Sequence, residues 1–270
     1  MAAIPSPIWL IGCGNMAGAM LAGWLDAGVD PAAFTVIRPS GRDAAPGVRV
    51  VTAPPAEAAP ALALLGVKPQ KLDQVAPVLA SALGDDTVLV SILAGVELAS
   101  LRARFPRQRR IVRAMPNTPV RLRKGVTDLF TDTGGASARA EVDRLVVLLG
   151  RAEWFDDEAL FAIAGHLSGA GPAFLFRFID ALAEAGAALG LPRDQAARIA
   201  AAMAEGAGAL AAASPEQPSE LARRVASPGG TTEAGLKILD QGDALRALIL
   251  ATLDSSRRRG IELAQAARTD

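Results

Sequence analysis

The sequence predicts an α/β protein, with a doubly wound parallel sheet over residues 1–157 and an all-helical domain over residues 158–270. Three observations carry that expectation. Ile8-Trp9-Leu10-Ile11 is a short apolar run that breaks into a glycine turn and then into a helical repeat. Short apolar runs and helical repeats go on alternating as far as Phe155, which implies parallel strands joined by right-handed crossovers. Beyond about Asp157 only helical periodicity remains.

Composition removes several function classes. A chain of 270 residues has room for one large or two ordinary domains, each able to close a core without staples. Lys+Arg and Asp+Glu both number 28, so no net charge draws in nucleic acid or an acidic membrane surface. The one cysteine, Cys13, has no partner for an internal disulfide, and with the one histidine, His166, it makes no metal cluster. Residues 1–7 show neither a basic flank nor an apolar run of signal-peptide length, so a cytoplasmic location is expected. The longest apolar pattern, residues 173–189, is not expected to span a membrane, because Arg177, Asp180 and Glu184 form one polar stripe along it.

In chain order, the first strand ends in Gly12-Cys13-Gly14-Asn15-Met16-Ala17, after which Met20, Leu21 and Trp24 recur at helical spacing up to Gly28. This G-x-G-x-x-A turn gives the N-terminal domain its Rossmann-like, dinucleotide-binding reading. The first glycine makes the turn, the second admits a pyrophosphate, and Ala17 lets helix and strand pack closely. Cys13 and Asn15 are spacers in that loop.

The next strand, Phe34 to Ile37, is followed by Arg38-Pro39-Ser40-Gly41-Arg42, with no carboxylate before Asp43 to hold ribose hydroxyls. Arg38, Ser40 and Arg42 suit a 2′-phosphate, which favours NADPH; the other reading makes the arginines solvated loop charges. Alternation continues through strand-like residues 48–51, 61–67 and 87–93, with a helix over 72–83. Val67-Lys68-Pro69 and Ser91-Ile92-Leu93-Ala94-Gly95 each close a strand at the edge where a doubly wound sheet binds its ligand, so Lys68 is placed to meet a cofactor phosphate or ribose. A strand-like run at 110–113 leads into Met115-Pro116-Asn117-Thr118-Pro119, a stiff turn. A strand over 126–131, a helix over 138–149 and a last strand over 152–155 complete the domain.

In the second domain Pro172 sits at the first turn of a helix running to Leu189 and stopped by Gly190. Pro192 starts an alanine-rich helix to about Ala213, Ser214 caps a short segment to Val225, and Asp243 opens a long final helix. The helix from Pro172 is apolar on most of its circumference, more than so few residues can cover, so a second copy of the chain is expected over it.

Between the last two helical stretches lies Ser227-Pro228-Gly229-Gly230-Thr231-Thr232. Pro228 and the glycines end one helix, and Thr231 or Thr232 can cap the next, so free N–H groups converge at a helix start and favour a small anion such as a carboxylate. The plainer reading is a loop and a cap.

Taken in order, these motifs resemble the pyrroline-5-carboxylate reductase family. The likeness runs from Ile8 to about Ala264 and is carried by the Gly12 to Ala17 turn, Val67-Lys68-Pro69-Gln70, the Ser91 to Gly95 and Arg113 to Pro119 stretches, Leu167-Ser168-Gly169-Ala170-Gly171-Pro172-Ala173, and Val225 to Leu236. The resemblance implies reduction of the cyclic imine L-1-pyrroline-5-carboxylate to L-proline, the last step of proline synthesis, with NADPH or NADH. It also implies a Rossmann domain joined to a helical dimerisation domain, with homodimers that in some members assemble into a decamer. It places the substrate carboxylate on Ser227, Gly229, Gly230, Thr231 and Thr232, sets the Thr232 hydroxyl beside the ring nitrogen, and puts Glu158 near the substrate. The cofactor would lie against Gly12, Cys13, Gly14, Asn15, Met16, Arg38, Ser40, Val67, Lys68, Pro69 and Ala94.

The chain departs from the family pattern in four respects. Ala170 replaces a serine, Ala162 and Gly165 stand for the usual Asp and Thr, His166 stands where small residues are usual, and Ala53 and Arg224 replace asparagines. Ser168 and His166 are candidates to assist the chemistry; the alternatives are a permissive turn and a packed or exposed histidine. A β-hydroxyacid dehydrogenase would share the glycine turn but needs a helical lysine, and residues 165–195 contain none. A nucleotide sensor would need no anion loop at 227–232.

Overall fold

The computed structural model describes residues 4–132 and 136–269; the start of the N-terminal stretch read for targeting, residues 1–3, lies outside them. The strands are β1 (Ile8–Ile11), β2 (Phe34–Ile37), β3 (Arg49–Val51), β4 (Leu62–Leu65), β5 (Val88–Ser91), β6 (Ile111–Pro116), β7 (Gly125–Phe130) and β8 (Gly150–Phe155). The helices beside them are α1 (Asn15–Asp26), α2 (Leu72–Ala82), α3 (Leu98–Arg104), α4 (Ala136–Val146) and α5 (Glu158–Ser168). Then follow α6 (Gly171–Ala188), α7 (Arg193–Ala213), α8 (Pro218–Val225), α9 (Thr231–Leu239) and α10 (Ala244–Thr269).

Among the described residues the eight strands form one sheet in the order β3-β2-β1-β4-β5-β6-β7-β8. Ile8 pairs with Phe34 on one side and with Leu62 on the other, so β1 is the point from which the chain winds both ways. In a sheet wound this way the ligand crevice lies beyond the strand carboxyl ends at that point. β1, β2, β4 and β5 are buried along their whole length, as continuous apolar runs covered on both faces must be. Side chains alternate between the faces: Ile8 and Leu10 join Trp24 and Phe34 in one layer, while Trp9 and Ile11 join Phe105 and Phe161 in the other. Trp24 stacks on Phe34 at 5.6 Å and donates its indole N–H to the Leu145 carbonyl at 2.9 Å.

The expected doubly wound parallel sheet is present, with one strand pair running the other way. β6 and β7 are antiparallel, with Arg113 opposite Phe130. Residues 117–124 between them are spent on a 3-10 turn, Thr118–Leu122, and on Arg123 in the left-handed region at φ 58°. A parallel return needs a crossover of a dozen residues or more, and this connection is too short.

Two compact units are distinguished by packing: residues up to Pro172 together with those from Arg257 onward, and Ala173–Ser256. Helix α5, expected in the helical domain, packs on β7 and β8, with Phe161 buried in the second core layer. Asp157 caps it, accepting from the N–H groups of Ala159 and Leu160 at 2.8 and 2.9 Å. In the helical unit Gly190, at φ 108°, follows α6, and Pro192 caps α7. The expected long final helix, α10, starts at Ala244, directly after Asp243, which takes φ 59°. Ser214 accepts from the Glu216 N–H at 3.1 Å and so closes a turn, while Gln217 is the residue at the start of α8.

Of the residues between Ala173 and Ser256 only Ala196 and Ala200 are fully buried, whereas Phe176 is 61% exposed. By length and composition Glu158–Ala188 is apolar enough to cross a bilayer, with a mean hydropathy of 1.5 over an 18-residue window of it. That run is divided into α5 and α6 at Gly169-Ala170, and Arg177 and Asp180 pair on α6 at 3.2 Å.

Candidate active site

The glycine turn is shaped by its backbone. Gly12 has φ 80° and donates its N–H to the Ile37 carbonyl at 2.9 Å, and a Cβ there would stand 3.0 Å from the Gly66 carbonyl oxygen. Any side chain is excluded on both counts. Gly14 is the cap residue of α1, and nothing lies within 4 Å of where its Cβ would be. The first turn of α1 carries no acid and no side-chain cap, so its N–H groups are left by helix geometry for an outside acceptor. Ala17 is buried, and a Cβ on Gly66 would meet its methyl at 3.0 Å, which shows how closely helix and sheet approach. These residues fit a dinucleotide pyrophosphate. The half-buried Cys13 thiol is pushed up by burial, with the Arg38 charge pulling the other way.

Arg38 and Ser40 both lie in the loop after β2, as the sequence requires. The Arg38 guanidinium is turned onto its own loop, donating to the Arg42 carbonyl and, at 2.5 Å, to that of Asp43. The exposed Ser40 hydroxyl accepts from the Arg42 N–H at 3.4 Å. Val67, Lys68 and Pro69 leave the end of β4, where Lys68 is exposed. A cavity of about 190 Å³ brings Met16 and Ala94 together with Arg113 and Met115.

A second cavity of about 500 Å³ shares Arg113 and Met115 with the first and adds Gly95, Glu158, His166 and Arg257. One Glu158 carboxylate oxygen, Oε1, accepts from Arg113 Nη1 at 2.6 Å and from the Leu98 N–H at 2.8 Å. Arg113 is buried over the Phe161 ring, 4.6 Å from its centroid. His166 has its pKa lowered, first by burial and then by the Arg257 charge, so its neutral form is favoured. Helix α10 makes room for that imidazole at Gly260, where a Cβ would stand 2.5 Å from the ring. The Gly165 departure has a similar reason: a Cβ there would fall 2.0 Å from Met115 Sδ.

Ser168, at the end of α5, donates its hydroxyl to Asp128 Oδ2 on β7. Asn117 fixes the same corner, giving its amide to the Ser168 carbonyl at 3.0 Å and accepting from the Val126 N–H at 2.9 Å. Burial raises the Asp128 pKa, the Ser168 hydrogen bond opposes that, and the Glu153 charge adds to it. Sequence reasoning passed over Arg113, Asn117 and Asp128. For Arg113 and Asp128 the readable signal was a charged residue in the middle of an apolar strand, Ile-Val-Arg-Ala and Val-Thr-Asp-Leu.

In the helical unit the expected anion loop has the expected backbone but a different cap. Gly230, not Thr231 or Thr232, is the cap residue of α9, and the two threonines are its first helical residues, both exposed. Gly229 at φ 71° makes the bend; with two glycines free to adopt it, the chain needs no hydroxyl cap. The Gly230 N–H is taken by the Ser227 carbonyl at 2.9 Å and that of Gly229 by Glu233 Oε2 at 2.8 Å. The donors left facing out are those of Thr231 and Thr232, beside the exposed Ser227. Arg224 Nη1 pairs with both Glu216 oxygens at 2.8 Å.

Two family models match the chain: NADP oxidoreductase, coenzyme F420-dependent, over residues 7–95, and pyrroline-5-carboxylate reductase dimerisation over residues 158–263. A pyrroline-5-carboxylate reductase of Pseudomonas aeruginosa is 38% identical over 96% of this chain and 97% of its own length. The chain belongs to the pyrroline-5-carboxylate reductase family. The Escherichia coli reductase is 32% identical over 96% of this chain and 98% of its own. Among solved structures, the Coxiella burnetii pyrroline-5-carboxylate reductase superposes with a TM-score of 0.87 at 30% identity, covering 96% of this chain and 98% of that one. A Plasmodium falciparum pyrroline carboxylate reductase solved with NADP bound shares the fold, with a TM-score of 0.83 at 20% identity over 97% and 100% of the chains. The second match places a dimerisation domain of this reductase family on the region whose apolar helices lack cover.

Proposed function

We propose that this chain reduces L-1-pyrroline-5-carboxylate to L-proline, the last step of proline biosynthesis, with NADPH as donor and NADH as the alternative. The near full-length match to pyrroline-5-carboxylate reductases carries the reading. The nicotinamide, when bound, supplies a hydride to the imine carbon, and the ring nitrogen gains a proton. What the chain must do is hold, orient and keep water out.

Gly12, Cys13, Gly14, Asn15 and Met16 take the pyrophosphate at the open start of α1, and Arg38 and Ser40 meet the 2′-phosphate. Val67, Lys68, Pro69 and Ala94 line the remainder of the cofactor. Ser227, Gly229, Gly230, Thr231 and Thr232 hold the substrate carboxylate, and the Thr232 hydroxyl bonds the ring nitrogen. Ser168 assists from the corner it shares with Asp128. Glu158 borders the substrate cavity, with its Oε1 committed to Arg113 and Leu98. Residues 1–157 then form the nucleotide domain and 158–270 the dimerisation and substrate domain, in a cytoplasmic homodimer of the kind that in some family members assembles further into a decamer.

NADPH oxidation followed with pyrroline-5-carboxylate, beside acetoacetate-type and hydroxyacid substrates, tests the reading: turnover is expected with the imine, and turnover with a hydroxyacid alone removes it. Thr232→Ala is expected to lower kcat/KM by one to three decades, on the order of 1–4 kcal/mol, and an unchanged value takes Thr232 out of the mechanism. A higher kcat/KM with NADH than with NADPH would reverse the donor preference.

A further inference from the structure

We infer that Arg113 and Glu158 are a positioning pair that fixes the loop carrying Ala94 and Gly95, and through it the reacting end of the bound cofactor; this rests on the reductase reading of the site. Helix α3 begins directly after that loop. Its cap residue, Glu97, makes no side-chain cap bond, and its first turn contains no acid. The Leu98 N–H is instead taken by Glu158, a carboxylate 60 residues away in sequence, at 2.8 Å. A cap supplied by another helix ties the start of α3 to α5.

The other end of the loop is anchored where the Ile92 N–H reaches the Leu65 carbonyl at 3.1 Å. The Leu93 N–H reaches the Ser91 hydroxyl at 3.4 Å, and the Val96 N–H reaches the Leu93 carbonyl at 3.4 Å, both long for hydrogen bonds. Gly95, at φ 75°, has open space where a Cβ would lie, while Leu93 and Val96 on either side are buried in the second core layer. At 2.8 Å the cap on Leu98 is shorter than either of those two long hydrogen bonds.

Arg113 makes that cap directional. Its side chain is 7% exposed, and Nη1 lies 2.6 Å from the same Oε1 that accepts from Leu98. A guanidinium this enclosed is costly without its counter-charge, so Glu158 is held in one place. The Phe161 ring covers the other face of the cation, fixing strand β6 to α5. Both cavities touch Arg113, and the smaller one contains Ala94. The pair thus acts on the cofactor through geometry, and Glu158 is a positioning residue.

The test uses the full-length enzyme with Glu158→Gln, Arg113→Met and the double variant. Each single change is expected to lower kcat at least tenfold and to raise the NADPH Kd, read by nicotinamide fluorescence without turnover, while KM for pyrroline-5-carboxylate stays within twofold. The double variant is expected to be no worse than the poorer single one, since one device is removed once. Hydrogen exchange at the Leu98 amide is expected to quicken in Glu158→Ala. A raised KM for the imine with unchanged NADPH binding would make Glu158 a substrate contact and overturn the proposal. So would wild-type kcat and Kd in folded Glu158→Gln, which decides the matter even if Arg113→Met fails to fold. A wild-type enzyme inactive on the imine, with the NADPH Kd still dependent on Glu158, would remove the reductase reading and leave the pair standing.

Discussion

The sheet-bearing unit and the helical unit draw on the same apolar composition and close it differently. In the first, strands such as Ile8–Ile11 disappear under helices on both faces, and Trp9, Trp24, Phe34, Phe105 and Phe161 are all fully buried. In the second, two alanines are the only buried residues, and Leu175, Phe176 and Phe178 of α6 face outward. A sheet of eight strands offers two broad faces that its own crossovers cover, whereas a few long helices offer each other only stripes. The helical unit completes its core by self-association, the role of the dimerisation family it matches.

This contrast can be broken most directly at α6. Phe176→Asp is expected to lower the association constant by about two to four decades, since two copies at a two-fold interface lose roughly 3–6 kcal/mol of burial. Sedimentation checks it, and an undiminished dimer would mean that α6 is covered by something other than a second copy. Gly150→Ala attacks the unit that closes itself. With φ at 138° and a Cβ set 2.0 Å from the Gly125 carbonyl oxygen, backbone meets backbone and strain has no outlet. A loss of roughly 3–4 kcal/mol in urea unfolding is expected.

Ser168→Ala removes the donor that the buried Asp128 carboxylate depends on, and a loss of about 1–3 kcal/mol is expected in the same assay. Gly206→Ala turns to α7, where nothing lies within 4 Å of the new Cβ. It is expected to stabilise the helix by about 1 kcal/mol; a weakened dimer instead would place that face in the interface.

The smallest effect is a pH dependence. His166 binds its proton less firmly in the folded chain, because burial and then Arg257 oppose the charge. Below its ordinary value of about 6.5 the unfolded chain binds more protons. The stability tied to neutral His166 is therefore complete above about pH 6.5 and is lost as the pH falls through it toward the depressed folded value. A Tm that declines over this window, and declines less in His166→Gln, is the expected result.

Sequence reading located β1, β2 and the glycine turn because their signals are local: an unbroken apolar run, a glycine forced to φ 80°, a helical repeat. It missed α3, whose seven residues show too little of a period, and it set one threonine cap where glycines serve. It named Arg38 for a phosphate without foreseeing that part of the guanidinium turns back on its own loop. It placed Glu158 near the substrate without its partners, which lie 45 and 60 residues upstream.

By itself the sequence determined the family, the sheet-then-helix order and the bend at Gly229, since periodicity and backbone freedom are properties of neighbouring residues. Only the tertiary structure decided that β7 runs against β6, that Asp128 receives the Ser168 hydroxyl and that a buried arginine holds the cap of α3. Those choices depend on which distant groups lose their water together, and a partner that replaces lost water is found in space, not along the chain.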